Sequence, residues 1–135
     1  MSAIAWKELT EAASRARISA YAPYSNYLVG AAVLSGDGRI FAGCNVENAS
    51  YGLALCAERS AVAQLIVAGQ RTILALVVVT AGPEPGSPCG LCRQTLSEFA
   101  VELPIGLAVA GDEAPRILKN LRHLFPDPFR GDLVK

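Results

Sequence analysis

The chain has 135 residues, 52% of them hydrophobic and 18% charged, and its 12 basic residues balance its 12 acidic ones. This length and this composition predict a single folded domain over residues 1–135 and exclude an intrinsically disordered chain. The neutral balance, without any Lys/Arg run, argues against a nucleic-acid partner, which needs a basic surface, and favours a small neutral ligand.

The first predicted element is an amphipathic helix. Five small or apolar residues recur at alternating spacings of three and four, which is typical of one helical face: Trp6, Leu9, Ala13, Ala16 and Ala20. The same segment lacks the continuous apolar stretch of a signal peptide. The longest apolar run of the chain, Ile73–Val79, is far shorter than the roughly 20 residues of a membrane span. We therefore expect a cytoplasmic protein without a membrane partner, whose thiols stay reduced.

A hairpin and a loop are predicted next. Two strand-like runs, at 28–35 and 39–45, lie on either side of Gly36-Asp37-Gly38. An Asp-Gly pair between two such runs predicts a β-hairpin. The polar, Gly-containing stretch 45–55 then predicts an irregular loop.

A helix and a buried strand follow this loop. Residues Cys56–Ala68 predict a helix that Gly69 ends. Residues 73–80 are rich in β-branched side chains without polar alternation, which predicts a central strand buried on both faces.

A third helix is predicted from the loop after this strand. Ser87 is a suitable N-cap and Pro88 suits the first turn of a helix that would reach about Phe99. Weaker patterns predict strands at 105–111 and 115–119 and a short helix at 120–125. Strands separated by helices indicate an α/β fold, with a mixed sheet that carries helices on its faces.

Three cysteines lie where the second and third helices are predicted to begin. Cys89 and Cys92 are spaced C-x2-C, which places both thiols on one helical face, and Cys56 opens the preceding helix. The free N–H groups of a first helical turn favour thiolates. Three thiolates suit zinc, and a catalytic zinc keeps three protein ligands and one water.

Other interpretations of these cysteines stay open from the spacing alone. A lone C-x2-C is equally typical of a redox pair or of a structural zinc site. Cys44 could complete a closed, structural site of four cysteines. Its distance along the chain from Cys56 and its place at the end of a predicted strand favour a buried, inert thiol instead.

Glu58 lies two residues after Cys56, about 200° around a regular helix, and is therefore not expected to be a ligand. It could instead lean over a metal-bound water and shuttle protons. C-A-E at 56–58 and P-C-G-L-C at 88–92 match the zinc deaminase signature H-x-E…P-C-x-x-C, with Cys56 at the histidine position. Taken alone, Glu58 and Arg59 would be interpreted as exposed helix residues, and His123 as a surface residue.

With these motifs the chain resembles the small homotetrameric cytidine deaminases over nearly its full length. Four segments carry the resemblance: YAPYSNYLVGAAVL, GCNVENASYGLALCAERSA, SPCGLCRQTLSEF and LFPDPF. The resemblance implies a three-layer α-β-α cytidine-deaminase-like fold with a mixed five-stranded sheet. It also implies one Zn²⁺ per chain and hydrolytic deamination of cytidine and 2′-deoxycytidine to uridine and 2′-deoxyuridine, with release of ammonia, in pyrimidine salvage.

The resemblance further implies a role for each matching residue. Cys56, Cys89 and Cys92 would bind the zinc, and Glu58 would carry protons from water to N3 of cytosine and to the departing amino group. The side chains of Asn45 and Glu47 would bind the sugar hydroxyls. The ring of Tyr27 would pack on the pyrimidine, and the backbone of Ala57 would contact the base.

Three more residues are implied to act around this site. Arg59 would face the sulfurs and offset the excess negative charge that three thiolates and a hydroxide leave on Zn²⁺. Tyr51 and Phe129 would reach the site of an adjacent chain in a homotetramer. The large apolar fraction of the sequence agrees with surface that is buried between subunits.

Some positions depart from the family pattern and leave alternatives open. Tyr27 stands where phenylalanine is usual, Leu91 replaces a small residue, and Pro128 precedes the aromatic Phe129. The alternatives are a related deaminase that acts on another aminopyrimidine nucleoside such as blasticidin S, a deaminase of bases in a polynucleotide, and a non-catalytic structural zinc module. The Asn-x-Glu pair favours a sugar, and the neutral charge disfavours a polynucleotide.

Overall fold

The computed structural model describes residues 3–134. Nine regular elements follow one another in the described chain, with short 3-10 turns at Tyr51–Leu53 and Gly131–Val134. These are α1 (Trp6–Ile18), β1 (Gly30–Ser35), β2 (Ile40–Cys44), α2 (Ala57–Val67), β3 (Ile73–Thr80), α3 (Gly90–Ser97), β4 (Pro104–Val109), β5 (Ile117–Asn120) and α4 (Leu121–Leu124). Within residues 3–134 there is no helix long and apolar enough to cross a bilayer.

The five strands form one mixed sheet in the order β2-β1-β3-β4-β5. Strands β3 and β4 are parallel, and the other neighbours are antiparallel. The β1–β2 hairpin has the predicted turn, in which Gly38 adopts a φ of +91° that a side chain would disfavour. The prediction of a mixed five-stranded sheet is therefore confirmed.

Strand β3 is central and almost wholly buried, as its β-branched sequence predicts. Every residue of the strand is buried except Leu74, which is 45% exposed. Its carboxyl end, at Thr80, reaches the edge of the sheet next to the segment that leads into α3.

Helices cover both faces of the sheet, which confirms the three-layer arrangement. Leu9, Ala12 and Ala13 of α1 pack on one face. On the opposite face, α2 and α3 pack against alternate residues of the same strands, with Leu65 and Leu96 fully buried. Because successive strand residues point to opposite faces, the apolar run of β3 serves both cores.

The second helix agrees with its prediction, whereas the third begins later than predicted. Gly69, with a φ of +89°, directly follows the C-cap of α2. Helix α3 starts at Gly90 with Cys89 as N-cap, so Ser87 is not the cap and Pro88 is not in the first turn. Cys89 has extended backbone angles, and its carbonyl accepts the helical hydrogen bond from the N–H of Arg93, while the carbonyl of Pro88 accepts from Nε of Arg93 at 2.8 Å.

Candidate metal centre and substrate cleft

Three thiols meet where α2 and α3 begin. Cys56 is the N-cap of α2, Cys89 is the N-cap of α3, and Cys92 lies in the first turn of α3. The Sγ atoms of Cys56 and Cys89 are 3.7 Å apart, and those of Cys89 and Cys92 are 3.6 Å apart. All three sulfurs lie within 4.8 Å of one another. The fold thus brings together cysteines that are 33 residues apart in the chain.

These sulfurs fit zinc. Zinc–sulfur bonds of about 2.3 Å in a tetrahedron place neighbouring sulfurs roughly 3.8 Å apart, close to the two separations in this structure. The cluster in residues 3–134 includes no further His, Cys, Asp or Glu ligand. Cys44, half-buried at the end of β2, is not part of it. The closed four-cysteine interpretation is therefore wrong, and a three-ligand set leaves the fourth position of a tetrahedral metal open.

The thiols themselves form an electrostatic pair in the protein without metal. The neighbouring Cys92 thiol, with help from Arg59, lowers the pKa of Cys56 to about 5. The pKa of Cys92 is raised by its closeness to Cys56 and by its burial beside Glu58. Cys56 is accordingly the first of the two to become a thiolate, the form in which cysteine binds a metal.

Arg59 is half-buried, and its guanidinium lies next to the sulfurs. Its Nη2 lies 3.8 Å from Sγ of Cys56 and donates to the carbonyl of Ala54 at 3.0 Å. Its Nε is buried without a hydrogen-bond partner among the described residues. The interpretation of Arg59 as an exposed helix residue is wrong, and its position is suited to offset charge on the thiolates.

Glu58 is buried next to the three thiols. Only 5% of the residue is exposed, in the first turn of α2. Burial, and to a lesser extent the Cys56 thiolate, raises the pKa of Glu58 to about 7. An exposed helix carboxylate, the interpretation of Glu58 taken alone, is therefore excluded. A carboxyl group with a pKa near neutrality can both accept and donate a proton at physiological pH.

A cleft of about 260 Å³ opens beside the thiols. It brings together most of the residues that the sequence assigns to substrate and catalysis, and the exceptions are Arg59, Cys92, Tyr51 and Phe129. The predicted residues that line it are Tyr27, Asn45, Glu47, Cys56, Ala57, Glu58 and Cys89. Among the described residues no Lys or Arg lines the cleft, so this wall offers no positive charge to a phosphate group.

Asn45 and Glu47 each hold a neighbouring loop while they face the cleft. The Asn45 side chain accepts from the N–H of Val29 at 2.8 Å and donates to the carbonyl of Tyr27 at 2.9 Å. Glu47 accepts from the N–H groups of Tyr24 and Ser25 at 2.9 and 3.1 Å and from the Ser25 hydroxyl. The Ser25 hydroxyl is the main reason why the pKa of Glu47 is lowered, so Glu47 is a carboxylate.

Thr80 is a cleft residue that sequence reasoning missed. It ends β3, and its hydroxyl accepts from the N–H of Gly86 at 2.9 Å. The backbone at Gly86 passes so close to Tyr27 that a Cβ there would lie 2.9 Å from the tyrosine hydroxyl. The signal was present, because a polar residue at the carboxyl end of a buried strand in an α/β sheet is a common site position.

Tyr51 and Phe129 do not line this cleft. Tyr51 is 76% exposed and packs edge-on against Tyr24, with ring centroids 5.9 Å apart, at an adjoining hollow that shares Glu47. Phe129 is 60% exposed on the C-terminal segment. Neither aromatic ring completes the cleft of its own chain. His123 is exposed on α4, as expected.

Comparison with known proteins places this site in context. A sequence model described as the cytidine and deoxycytidylate deaminase zinc-binding region matches residues 5–105. A cytidine deaminase of Mycobacterium tuberculosis is 44% identical over 115 residues, which cover 82% of this chain and 86% of that protein. A cytidine deaminase of Sporosarcina psychrophila is 46% identical over 93 residues, 69% of this chain and 68% of that protein.

Solved structures agree with the sequence comparison. The crystal structure of a cytidine deaminase from Burkholderia pseudomallei superposes with a TM-score of 0.85 at 43% identity, covering 93% of this chain and all of that one. A cytidine deaminase from Mycobacterium leprae gives a TM-score of 0.81 at 41% identity, with 93% and 100% coverage. The fold and the cysteine motifs therefore match the same group of proteins.

Proposed function

Since this chain belongs to the cytidine and deoxycytidylate deaminase family, we propose that it is a zinc-dependent hydrolase that converts cytidine and 2′-deoxycytidine to uridine and 2′-deoxyuridine with release of ammonia. One observation carries the proposal. Three thiols that leave a metal with an open position lie beside a buried carboxyl group, and Cys56, Cys89 and Glu58 line a cleft of nucleoside scale.

The zinc would be held by Cys56, Cys89 and Cys92, one ion per chain. When bound, zinc supplies a Lewis acid that makes water acidic enough to act as a nucleophile near neutral pH. Arg59 would balance part of the negative charge of the three thiolates, because its guanidinium faces Cys56.

Glu58 would move the protons of the reaction. It takes a proton from the water that attacks C4 of cytosine and delivers that proton to N3. It then takes the remaining proton of the new C4 hydroxyl and passes it to the 4-amino group, so that the C4–N bond breaks, ammonia leaves and the carbonyl of uridine forms. The raised pKa of Glu58, about 7, suits a group that alternates between base and acid. Burial also keeps bulk water from competing for those protons.

The other cleft residues would orient the nucleoside. Asn45 and Glu47 offer an amide and a carboxylate to the sugar hydroxyls, and the hydrogen bonds that each makes to the chain hold it in place. The ring of Tyr27 would pack on the pyrimidine, and the backbone of Ala57 would contact the base. The absence of Lys and Arg from the cleft wall supports an uncharged nucleoside rather than a nucleotide or a polynucleotide.

Assembly and cellular role extend the same proposal. Residues 1–135 would form one deaminase domain that assembles as a homotetramer in the cytoplasm and serves pyrimidine salvage. Exposed aromatic rings support the assembly, because Tyr51 and Phe129 do not line the cleft of their own chain. In a tetramer they would border the cleft of an adjacent chain.

A direct assay tests the proposed function. Purified zinc-loaded protein is incubated with cytidine, 2′-deoxycytidine, cytidine 5′-monophosphate and blasticidin S, and the loss of ultraviolet absorbance and the release of ammonia are followed. We expect turnover of the two nucleosides and none of the monophosphate. Turnover of blasticidin S alone would favour a related deaminase of another aminopyrimidine nucleoside. If none of the four compounds reacted, the proposed function would be contradicted and a non-catalytic structural zinc module would be favoured.

A further inference from the structure

The segment 126–130 has very few hydrogen bonds to the body of the protein. Pro126 and Pro128 lack an N–H to donate, and this stretch forms no helix or strand. In the part of the chain that the structure describes, Gln94 provides every hydrogen bond that ties the backbone of 126–130 to the body of the protein. The hydrogen bonds between the backbone of this segment and the body of the protein therefore come from a single side chain of α3.

Gln94 holds Phe129 at two points. Its Nε2 donates to the carbonyl of Phe129 at 2.8 Å, and its Oε1 accepts from the N–H of Phe129 at 3.1 Å. One planar amide thus pairs with both backbone groups of one residue, as a neighbouring strand would. The two bonds fix the direction in which the Phe129 ring, 60% exposed, leaves the backbone.

The preceding residue of α3 binds the chain just before this segment. Nη1 of Arg93 donates to the carbonyl of Leu124 at 2.6 Å, while its Nε donates to the carbonyl of Pro88. Leu121, the first residue of α4, is buried in the core. Residues 124 and 129 are both bound to α3, so the segment between them is tied to the helix that begins with Cys89 and Cys92.

We propose that Gln94 is a positioning residue for the deaminase, which acts by holding the backbone of Phe129 in a fixed place relative to α3. The inference rests on the proposed function, in which the Phe129 ring borders the nucleoside in the cleft of an adjacent chain. A phenyl ring has no proton to transfer, so its contact contributes to substrate binding rather than to the proton steps. Disturbing Gln94 should therefore change KM more than kcat.

The first test replaces Gln94 with methionine, which keeps the length of the side chain and removes both hydrogen bonds. We expect KM for cytidine to rise about three- to tenfold, the factor expected for one or two lost hydrogen bonds, and kcat to change by no more than about twofold. Gln64→Met on the exposed face of α2 is the matched control and should leave both constants unchanged.

A double-mutant cycle asks whether Gln94 acts through Phe129. In the Phe129→Ala background the ring is absent, so Gln94→Met should raise KM no further. An equal rise in both backgrounds would overturn the proposal, as would a Gln94→Met enzyme with unchanged KM. Gln94→Glu should also raise KM, because it keeps an acceptor for the Phe129 N–H but places a carboxylate oxygen against the Phe129 carbonyl, to which Nε2 now donates.

Hydrogen exchange tests the contact between Gln94 and the backbone of Phe129 without any substrate. The amide of Phe129 should exchange faster in zinc-loaded Gln94→Met than in the wild type, while amides of β3 exchange equally in both. Unchanged exchange at Phe129 would contradict the positioning role. If the wild type failed to deaminate cytidine but Gln94→Met still accelerated this exchange, the proposed function would be wrong, whereas the role of Gln94 in holding the Phe129 backbone would be supported.

Discussion

Nη2 of Arg59, in the first turn of α2, lies 3.8 Å from Sγ of Cys56, the N-cap of the same helix. The two are three positions apart, which places them on one face of the first turn of α2. A guanidinium in this place stabilises a thiolate, and the thiolate in turn raises the pKa of Arg59. The sequence alone assigned this contact only through a family resemblance, and the geometry gives it a physical basis.

Removing this guanidinium should make Cys56 less acidic. In metal-free Arg59→Gln, the pKa of Cys56 should rise above its value of about 5 by roughly one unit, the size expected for losing one charge-assisted contact. The pH dependence of iodoacetamide alkylation at Cys56 measures this shift. Arg15→Gln, on the exposed side of α1, is the control and should leave the alkylation midpoint unchanged. An unchanged midpoint in Arg59→Gln would show that the neighbouring thiols of Cys92 and Cys89 lower the pKa without Arg59.

Cys92 and Cys44 should differ completely in their effect on metal content. Cys92 is fully buried among the three converging sulfurs, whereas Cys44 lies outside them. Cys92→Ser should purify with far less than one zinc per chain and a lower Tm, because bound metal stabilises only the folded state. Cys44→Ser should retain one zinc and the wild-type Tm. Atomic absorption and thermal melting measure both effects, and zinc loss in Cys44→Ser would contradict the three-ligand assignment.

Asn45 should matter for stability as well as for substrate binding. Its amide bridges Tyr27 and Val29, so Asn45→Ala leaves a backbone N–H and a backbone carbonyl without their partners. The free energy of unfolding of the zinc-loaded protein should fall by about 1–3 kcal/mol, and KM for cytidine should rise. Urea titration and steady-state kinetics measure the two effects. Asn48→Ala, at an exposed loop position, should change the free energy of unfolding far less.

The raised pKa of Glu58 predicts how the stability of the metal-free protein depends on pH. The folded chain holds a proton on Glu58 up to about pH 7, whereas the ordinary pKa of the group is 4.5. The folded state thus binds more protons between these values, and its stability falls as the pH rises through them. Relative to Glu58→Gln, the wild type should lose up to about 3 kcal/mol of unfolding free energy over this range.

Urea unfolding in the presence of a chelator measures this dependence at pH 4.5 to 8. The Cys56 thiol acts in the opposite direction, because its lowered pKa adds stability as the pH rises. Only the difference between wild type and Glu58→Gln isolates the carboxyl group. A difference that stays constant with pH would show that burial does not raise the pKa of Glu58.

Short-range signals in the sequence were enough to predict most of the sheet and the closeness of two of the three thiols. The C-x2-C spacing brings Cys89 and Cys92 close together, and the β-branched run of β3 predicts a buried strand by itself. Gly69 ends α2 where its freedom to adopt positive φ predicts. Each of these predictions depends on residues within one element.

Long-range contacts explain what the sequence could not predict. The segment just before α3 contacts Arg93, whose side chain donates both to the carbonyl of Pro88 and to the distant carbonyl of Leu124. The burial of Glu58 arises because α2 packs against the sheet beside α3, and no local pattern encodes it. The pairing of Gln94 with Phe129 spans 35 residues and joins a helix to an irregular segment.

The central claim is that Glu58 transfers protons at a metal that three thiols hold without its help. Glu58→Gln tests it most directly, with zinc content and turnover of cytidine measured on the same sample. We expect one zinc per chain and a loss of kcat of at least about a hundredfold. Glu8→Gln, in the exposed first turn of α1, should keep full activity. A Glu58→Gln protein that binds zinc and turns over cytidine at the wild-type rate would contradict the account.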